Sequence, residues 1–343
     1  MISHTHFISA VITGALLIGA VGSVTATTNS SQVNINYNNT SVSGLSAGGY
    51  MANQFHLSHA DTVIGAGIVA AGPYYCAQGS IMTALKSCIS KVPDDFPGDL
   101  LHTIKQGHES GQLAPAAYLQ NDKVWMLHGT KDSRVIRPVS NALYQQYEAL
   151  LRPENVVYEQ NQDFAHLMPT ALSGDDCTQS NSPFVGKCGF DAAGKILNHI
   201  YAELNAPVSD AEVSQQGTLQ RFEQAQIANL DNTGMHNTGF VFIPDSCKTG
   251  STCTLHISFH GCNQSIDNVD DAYAAQSGFN RWAASNQMIV LYPQVATSSM
   301  MPMNPQACWD WWGYTNADYA NKQGPQIKAV YEMMKNLPTL FNN

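Results

Sequence analysis

Short apolar segments typical of buried strands alternate with helical segments along most of this 343-residue chain. Strands that are apolar along their length and separated by helices form a largely parallel sheet with both faces covered. The pattern therefore predicts an α/β fold with a mainly parallel central sheet and helices on both faces. The expected strands are 63–70, 124–127, 156–158, 240–243, 255–259 and 288–292, and the expected helices are 100–109, 139–151, 192–204, 272–285 and 326–335.

The composition is that of a globular protein, with 44% hydrophobic and 12% charged residues. The sequence contains no internal repeat and no low-complexity linker, so we expect one domain from residue 27 to residue 343, with a surface excursion at 209–217. The net charge is −10 and no basic patch is visible. This charge argues against nucleic acid or an anionic membrane as a partner, and it leaves the oligomeric state open.

The N-terminal residues 1–26 resemble a secretory signal peptide. Residues 7–21 form an apolar run too short for a convincing membrane span, and Val24-Thr25-Ala26 resembles a signal-peptidase site. The segment before the run contains His4 and His6 but no Lys or Arg, which departs from the usual pattern. We expect export to the extracellular space or a periplasm with cleavage near Ala26; an uncleaved anchor is the alternative.

The chain has eight cysteines, and their even number suits an oxidising compartment. The sequence alone leaves 105 pairings open. Three pairs are close along the chain and flank loop-like stretches: Cys76–Cys88, Cys177–Cys188 and Cys247–Cys253. The fourth expected pair is then Cys262–Cys308. A zinc site is not expected, because the cysteines are dispersed and no C-x-x-C motif is present.

Residues 44–48 have the sequence GLSAG, which fits the G-x-S-x-G turn that exposes a serine between a strand and a helix. β-favouring residues precede this turn at 33–42, and a helical pattern follows it at 50–55. Ser46 is therefore the candidate nucleophile of a serine hydrolase. The alternative is an ordinary glycine-rich turn, since the chain contains 26 glycines.

A serine nucleophile needs a histidine to accept its proton and a carboxylate to orient that histidine. The strand at 124–127 leads into a turn that carries Asp132, and the strand at 156–158 leads into a loop that carries His166. The order Ser46, Asp132, His166 is that of α/β-hydrolases. Asp132 could instead be a structural turn residue, in which case Asp163 is the fallback acid. His166 is one of 12 histidines, any of which could be a buried core residue.

An acyl-transfer site also needs N–H donors for the developing oxyanion. The first is expected from Ala47, which follows the nucleophile. The second is expected from Cys262, since residues 254–259 form a strand that ends in His260-Gly261, similar to the oxyanion loop of esterases and lipases. This pair could also be a simple strand-ending turn.

In α/β-hydrolases the oxyanion loop normally precedes the nucleophile, whereas here it follows the whole triad. Joining the C-terminal segment 329–335 to the strand before Gly44 would restore the usual order of elements. The sequence therefore predicts a circularly permuted chain, a rearrangement that proteins tolerate when their termini are close together at the surface.

Four segments together resemble the polyhydroxybutyrate depolymerase and feruloyl-type esterase family: GLSAGG at 44–49, HGCNQ at 260–264, LYPQ at 291–294 and CWDWW at 308–312. The permuted order resembles the secreted, single-domain depolymerase branch. The resemblance implies an α/β-hydrolase fold, Ser46 as nucleophile with Asp132 and His166 as partners, and a disulfide joining Cys262 to Cys308. It also implies that the catalytic domain itself adsorbs to solid polymer.

From these residues and this resemblance we expect an exported carboxylic ester hydrolase that degrades polyhydroxybutyrate or its oligomers without a cofactor or metal. Trp309, Trp311 and Trp312 are expected to bind substrate, because aromatic side chains offer flat apolar area, although all three could belong to the core. His56 and His59 share a helix face but lack a third metal ligand. The alternatives are a feruloyl or acetyl esterase acting on plant polysaccharide and a non-catalytic polymer-binding protein.

Overall fold

The computed structural model describes residues 33–92 and 96–341, together with residues 1, 2, 4 and 6. The expected signal-peptide core and cleavage site lie outside the described residues. Residues 31–343 form one compact unit, which contains every element named below. The strands are β1 (Asn34–Leu45), β2 (Val63–Val69), β3 (Lys123–Gly129), β4 (Val156–Gln162), β5 (Met168–Thr170), β6 (Asp175–Asp176), β7 (Val185–Lys187), β8 (Gly217–Glu223), β9 (Thr238–Pro244), β10 (Thr252–Phe259) and β11 (Met288–Tyr292).

The central sheet has eight strands in the order β4-β3-β2-β1-β10-β11-β9-β8, and β5, β7 and β6 form a separate small sheet. All neighbours in the central sheet are parallel except β9, which is antiparallel to both β11 and β8. In the middle of the sheet, Gly44 of β1 lies beside Phe259 of β10 and Ile68 of β2. The turn after β1 is therefore at the carboxyl edge of the sheet, where open α/β sheets bind ligands.

Ten α-helices are described, and they cover both faces of the sheet. Alternate residues of one strand enter two different cores: Val124 and Met126 join one, and Trp125 and Leu127 join the other. This separation follows from the two-residue period of a strand. The helices are α1 (Ala47–Ser58), α2 (Ile81–Ser87), α3 (Phe96–Ser110), α4 (Arg137–Leu150), α5 (Ala192–Ile200), α6 (Asp210–Gln216), α7 (Ile266–Val269), α8 (Ala272–Gln276), α9 (Phe279–Ser285) and α10 (Pro325–Asn336).

The expected helix at 272–285 is in fact two helices, α8 and α9. Gly278 separates them with a φ of 93°, a left-handed conformation that glycine adopts without steric cost and that ends a helix. The expected surface excursion at 209–217 contains the exposed helix α6 and leads into β8. Because β8 is a partly polar edge strand, it lacks the continuous apolar pattern that indicates the other strands.

Four disulfides join Cys76 to Cys88, Cys177 to Cys188, Cys247 to Cys253, and Cys262 to Cys308. This is the pairing expected from the spacing of the cysteines. Within residues 33–92 and 96–341, no helix is both long and apolar enough to cross a membrane.

Candidate active site

Ser46 is the single residue between β1 and α1. Its φ of 56° and ψ of −122° lie outside the conformations that a non-glycine residue readily adopts. The Ser46 N–H donates to the Val69 carbonyl at 2.9 Å, and the Ser46 carbonyl accepts from the Tyr50 N–H at 3.0 Å. These hydrogen bonds anchor the strained residue to both the sheet and the helix, which is how such strain is maintained at functional sites.

The glycines on either side of Ser46 allow three backbone segments to meet. A Cβ atom on Gly44 would lie 2.1 Å from the Gly48 carbonyl oxygen. A Cβ atom on Gly48 would lie 2.2 Å from the Phe259 carbonyl oxygen and 2.4 Å from that of His260. The turn therefore has the tight geometry expected of a nucleophile elbow, and it packs against the end of β10.

Asp132 and His166 lie on the loops that follow β3 and β4, and their side chains are joined. His166 Nδ1 donates to Asp132 Oδ2 at 2.8 Å, while Asp132 Oδ1 accepts from the Arg134 and Val135 N–H groups at 2.8 and 3.1 Å. Burial alone would raise the pKa of the Asp132 carboxyl group. The His166 partner and the two N–H groups outweigh it, so the pKa lies below its ordinary value and the carboxylate stays charged.

Asp163, the fallback acid, is in a different environment. Its side chain is 73% exposed and pairs with Lys131 at 3.6 Å. It also accepts a hydrogen bond from the Thr130 hydroxyl. The Asp163 carboxylate is thus engaged by Lys131 and Thr130, whereas Asp132 is bonded to the histidine at 2.8 Å.

Ser46 and His166 line one cavity of about 220 Å³, together with Cys262, Trp311 and Trp312. Within the described residues, no hydrogen bond joins the side chains of Ser46 and His166. Contacts of this kind are commonly long without substrate and shorten when it binds. The cavity brings the predicted nucleophile, base and oxyanion loop to one place.

Two backbone N–H groups are candidate oxyanion donors, that of Ala47, which follows Ser46, and that of Cys262, which lines the same cavity. Ala47 is the first residue of α1, so its N–H has no acceptor within the helix. The Cys262 N–H also meets no acceptor among the described residues, whereas the neighbouring Gly261 N–H donates to Gln264 Oε1 at 2.7 Å and the Asn263 N–H donates to the Gln306 carbonyl at 2.7 Å. The hydrogen bonds of Gly261 and Asn263 thus fix the loop on both sides of the Cys262 N–H, which remains available to a ligand.

The neutral imidazole of His260 helps to fix the loop that contains Cys262. Nδ1 donates to the Gly261 carbonyl at 2.8 Å, and Nε2 accepts from the Val295 N–H at 3.3 Å. The ring is fully buried, and burial lowers the pKa of His260 to about 4. A neutral ring satisfies both hydrogen bonds at once, since an imidazolium would leave the Val295 donor without an acceptor.

The three tryptophans have different positions. Trp309 is fully buried and packs edge-on against Phe259, with ring centroids 5.0 Å apart, so it lies in the core and does not line the cavity. Trp311 and Trp312 do line it, and Trp311 stacks on Tyr50 with centroids 4.5 Å apart. Trp309 therefore packs against the end of β10, and Trp311 and Trp312 form part of the cavity wall.

Several cavity residues are not predictable from the sequence. Ile81 and Leu85 enter from α2, Phe184 from the small-sheet region, and Arg134 from the loop that holds Asp132. The only available sequence signal was the run of large apolar residues on the short helix α2. Nothing in the sequence pattern indicates that α2 lies beside Ser46.

His56 lies in α1, His59 directly follows the helix, and each has partners other than a metal. His56 bonds to Asp122 Oδ2 and to the Tyr147 hydroxyl, both at 3.1 Å. His59 stacks on Tyr331, with ring centroids 4.2 Å apart. Among the described residues, no group of three or more His, Cys, Asp or Glu side chains could hold a metal ion.

Comparison with known sequences identifies close relatives, although no protein-family model matches. The chain is 38% identical over 333 residues, 96% of its length, to a poly(3-hydroxybutyrate) depolymerase from Delftia acidovorans, and it spans 66% of that protein. It is 34% identical over 322 residues to a polyhydroxybutyrate depolymerase from Talaromyces funiculosus. That alignment covers 90% of this chain and 92% of its relative.

Solved structures give the same result. A crystal structure of a PHB depolymerase from Penicillium funiculosum matches with a TM-score of 0.82 and 30% identity, covering 91% of this chain and 99% of the other. A serine-to-alanine variant of a PHB depolymerase, complexed with an R3HB trimer, matches with a TM-score of 0.81 and 31% identity over the same shares. Since sequence and fold agree over about nine tenths of both chains, this protein belongs to the polyhydroxybutyrate depolymerase family, a group of carboxylic ester hydrolases.

Proposed function

We propose that this protein is an exported serine esterase that hydrolyses polyhydroxybutyrate or its short oligomers through an acyl-enzyme on Ser46. The observation that carries the proposal is the 2.8 Å bond between Asp132 and His166 at the cavity that Ser46 also lines. Ala47 and Cys262 are the proposed oxyanion donors. A relative that binds an R3HB trimer supports the substrate class.

In the first half of the reaction, His166 Nε2 accepts the Ser46 proton as the serine oxygen attacks the ester carbonyl. The negative charge on the carbonyl oxygen is held by the N–H groups of Ala47 and Cys262. The tetrahedral intermediate then expels the alkoxide, which takes the proton from His166. The products of this half are an alcohol and an ester on Ser46.

In the second half, His166 removes a proton from water, which attacks the ester on Ser46. The serine leaves with that proton, and a carboxylic acid is released. Asp132 remains charged throughout, keeps the proton of the neutral ring on Nδ1 and stabilises the imidazolium in both halves. Each turnover consumes one water and one ester bond.

The lining of the cavity suits an uncharged, methyl-bearing polyester. Ile81 and Leu85 contribute aliphatic surface, and Trp311 and Trp312 contribute aromatic surface. Apolar walls with a few directed polar groups are the usual composition of a small-molecule site. We propose Trp311 and Trp312 as substrate-binding residues and Trp309 as a supporting residue.

Adsorption to the solid polymer is assigned to the domain itself. In α2, Ile81 and Leu85 line the cavity and are 44% and 51% exposed, and Met82 of the same helix is 73% exposed. Met300 and Met301 are 78% and 90% exposed on the loop that leads to the tryptophan segment. Exposed apolar side chains of this size favour contact with an apolar surface.

Export is supported by the four disulfides, because such bonds form and persist in oxidising compartments. We propose that the signal segment is cleaved near Ala26. The mature domain, from residue 27 to 343, would then act outside the cytoplasm.

The test is the release of soluble 3-hydroxybutyrate products from a polyhydroxybutyrate suspension by the mature protein. Ser46→Ala should abolish release while still pelleting with the polymer, because adsorption does not need the nucleophile. Ser110→Ala, which alters an exposed serine on α3, should release products at the wild-type rate.

No release by the folded wild type, together with hydrolysis of feruloyl or acetyl sugar esters, would replace the substrate assignment. Adsorption without hydrolysis of any of these esters would instead favour the non-catalytic polymer-binding alternative.

A further inference from the structure

Arg134 adds a positive charge to the cavity. It lies in the loop between β3 and α4, two residues after Asp132, and its side chain is exposed. Its backbone N–H is used, since it donates to Asp132 Oδ1 at 2.8 Å. Across residues 33–92 and 96–341, no carboxylate or carbonyl oxygen accepts a hydrogen bond or ion pair from its guanidinium group.

The charge of the lining makes this cation unusual. Among the residues that the structure describes, Arg134 and His166 are the only titratable side chains that line the cavity, and no carboxylate does. Asp132 lies nearby, but its carboxylate is buried and bonded to His166. The chain as a whole has a net charge of −10, so the cavity mouth is locally positive on an acidic protein.

A neutral ester does not require a cation, but every linear hydroxybutyrate oligomer ends in one carboxylate. A guanidinium group matches a carboxylate in charge and in geometry. His166 returns its proton to the leaving alkoxide, so the alcohol half of the ester departs on the histidine side of the site. Arg134 lines the same cavity as His166 and belongs to the loop that carries Asp132, the partner of His166, so we assign it to that half.

We propose that Arg134 binds the terminal carboxylate of the alcohol half and directs cleavage to the carboxyl end of short oligomers. This inference rests on the proposed esterase function. The ester nearest to the bound carboxylate is cleaved: its acyl group passes to Ser46 Oγ, and its alkoxide takes the proton from His166 Nε2. The released hydroxy acid leaves with its carboxylate from Arg134, and water then frees the remaining chain.

The experiment compares a 3-hydroxybutyrate trimer as the free acid with its methyl ester, which has no charge. In Arg134→Gln, kcat/KM should fall about fivefold more on the free acid than on the methyl ester, because a partly exposed ion pair is worth about that factor. Added NaCl should lower the wild-type value on the free acid and leave that of Arg134→Gln unaffected. The methyl ester also reports that the variant is folded.

Arg152→Gln is the matched control, since it removes the same charge from an exposed position outside the cavity. It should behave as the wild type on both substrates. Equal losses on the free acid and the methyl ester in Arg134→Gln would overturn the carboxylate role, and so would an unchanged rate on the free acid. Failure of the wild type on both trimers would overturn the proposed function, and this inference with it.

Discussion

At the scale of single residues, burial separates two carboxylates with the same chemistry. The Asp132 side chain is fully buried and bonds to His166, whereas that of Asp163 is 73% exposed and pairs with Lys131. A charged group withdrawn from water gains far more from a fixed partner than an exposed one does. Both acids are visible in the sequence, but only the fold decides which of them orients the base.

Asp132→Asn should lower kcat on a hydroxybutyrate ester by about 10³- to 10⁴-fold, because an amide no longer holds His166 in the required tautomer. The asparagine Oδ1 can still accept the Arg134 and Val135 N–H groups, so the loop is retained. Initial rates at neutral pH measure the effect, and Asp163→Asn is the matched control with an expected change of less than about twofold. Comparable losses in the two variants would refute the assignment of the acid.

At the scale of elements, the oxyanion loop is positioned by packing and by a cross-link. The absence of a side chain at Gly48 lets α1 approach the carbonyls of Phe259 and His260. Behind this contact, a disulfide joins Cys262 to Cys308, 46 residues away. The position of the proposed second oxyanion donor, the Cys262 N–H, therefore depends on both a close helix–strand approach and a covalent bond.

Replacing Cys262 and Cys308 with alanine should lower the free energy of unfolding by about 4 kcal/mol, because the cross-link closes a long loop. It should also lower kcat, since the Cys262 N–H loses its fixed position. The Cys247–Cys253 bond spans 6 residues away from the cavity, so its removal should cost about 2 kcal/mol and leave kcat unchanged. Urea unfolding and initial rates measure both. Equal kcat values in the two double variants would contradict a role of the cross-link in the site.

At the scale of the whole molecule, buried histidines make stability depend on pH. Burial lowers the pKa of His59 and His256 to about 3 and that of His260 to about 4, with the Lys322 charge adding to the effect at His59. In the unfolded chain these groups take up protons near pH 6.5. The unfolded state therefore binds more protons below that pH, and the stabilisation present above it is lost on acidification.

The free energy of unfolding should fall between pH 6.5 and pH 5 by up to about 1.4 kcal/mol per pH unit for each histidine. Asp122 and Asp310 oppose this trend at lower pH, because burial raises the pKa of both carboxyl groups. Urea unfolding at several pH values measures the slope. His59→Phe keeps an aromatic ring beside Tyr331 and should reduce the slope by one histidine's share. The same stability at pH 7 and pH 5 would refute the prediction.

The order in which the chain connects its strands and helices is also a property of the whole molecule. The end of α10 adjoins the start of β1: the Tyr37 hydroxyl donates to the Lys335 carbonyl at 3.0 Å, and Lys335 Nζ lies 4.2 Å from the Tyr37 ring centre. The oxyanion strand β10 and its neighbour β11 precede α10 in the chain. We propose that the protein is a circular permutation of the order that is usual in α/β-hydrolases, which this proximity supports.

A chain that joins its C-terminus to residue 33 through a short Gly/Ser linker, and that starts at Pro207, should fold and keep the activity of the mature protein. The new opening lies between α5 and α6 and cuts no strand of the central sheet. Ester hydrolysis and thermal unfolding compare the two forms. A permuted chain that does not fold would contradict the proposal that this protein is a circular permutation of the usual order.

Periodicity and turn chemistry are local, so the alternation of strands and helices, the serine turn at 44–48 and the order of Ser46, Asp132 and His166 can be read from the sequence. Tertiary packing alone placed Trp309 in the core and Trp311 and Trp312 at the cavity. It also decided that Arg134 and α2 adjoin the serine. These outcomes depend on contacts between residues far apart in the chain, which no local pattern encodes.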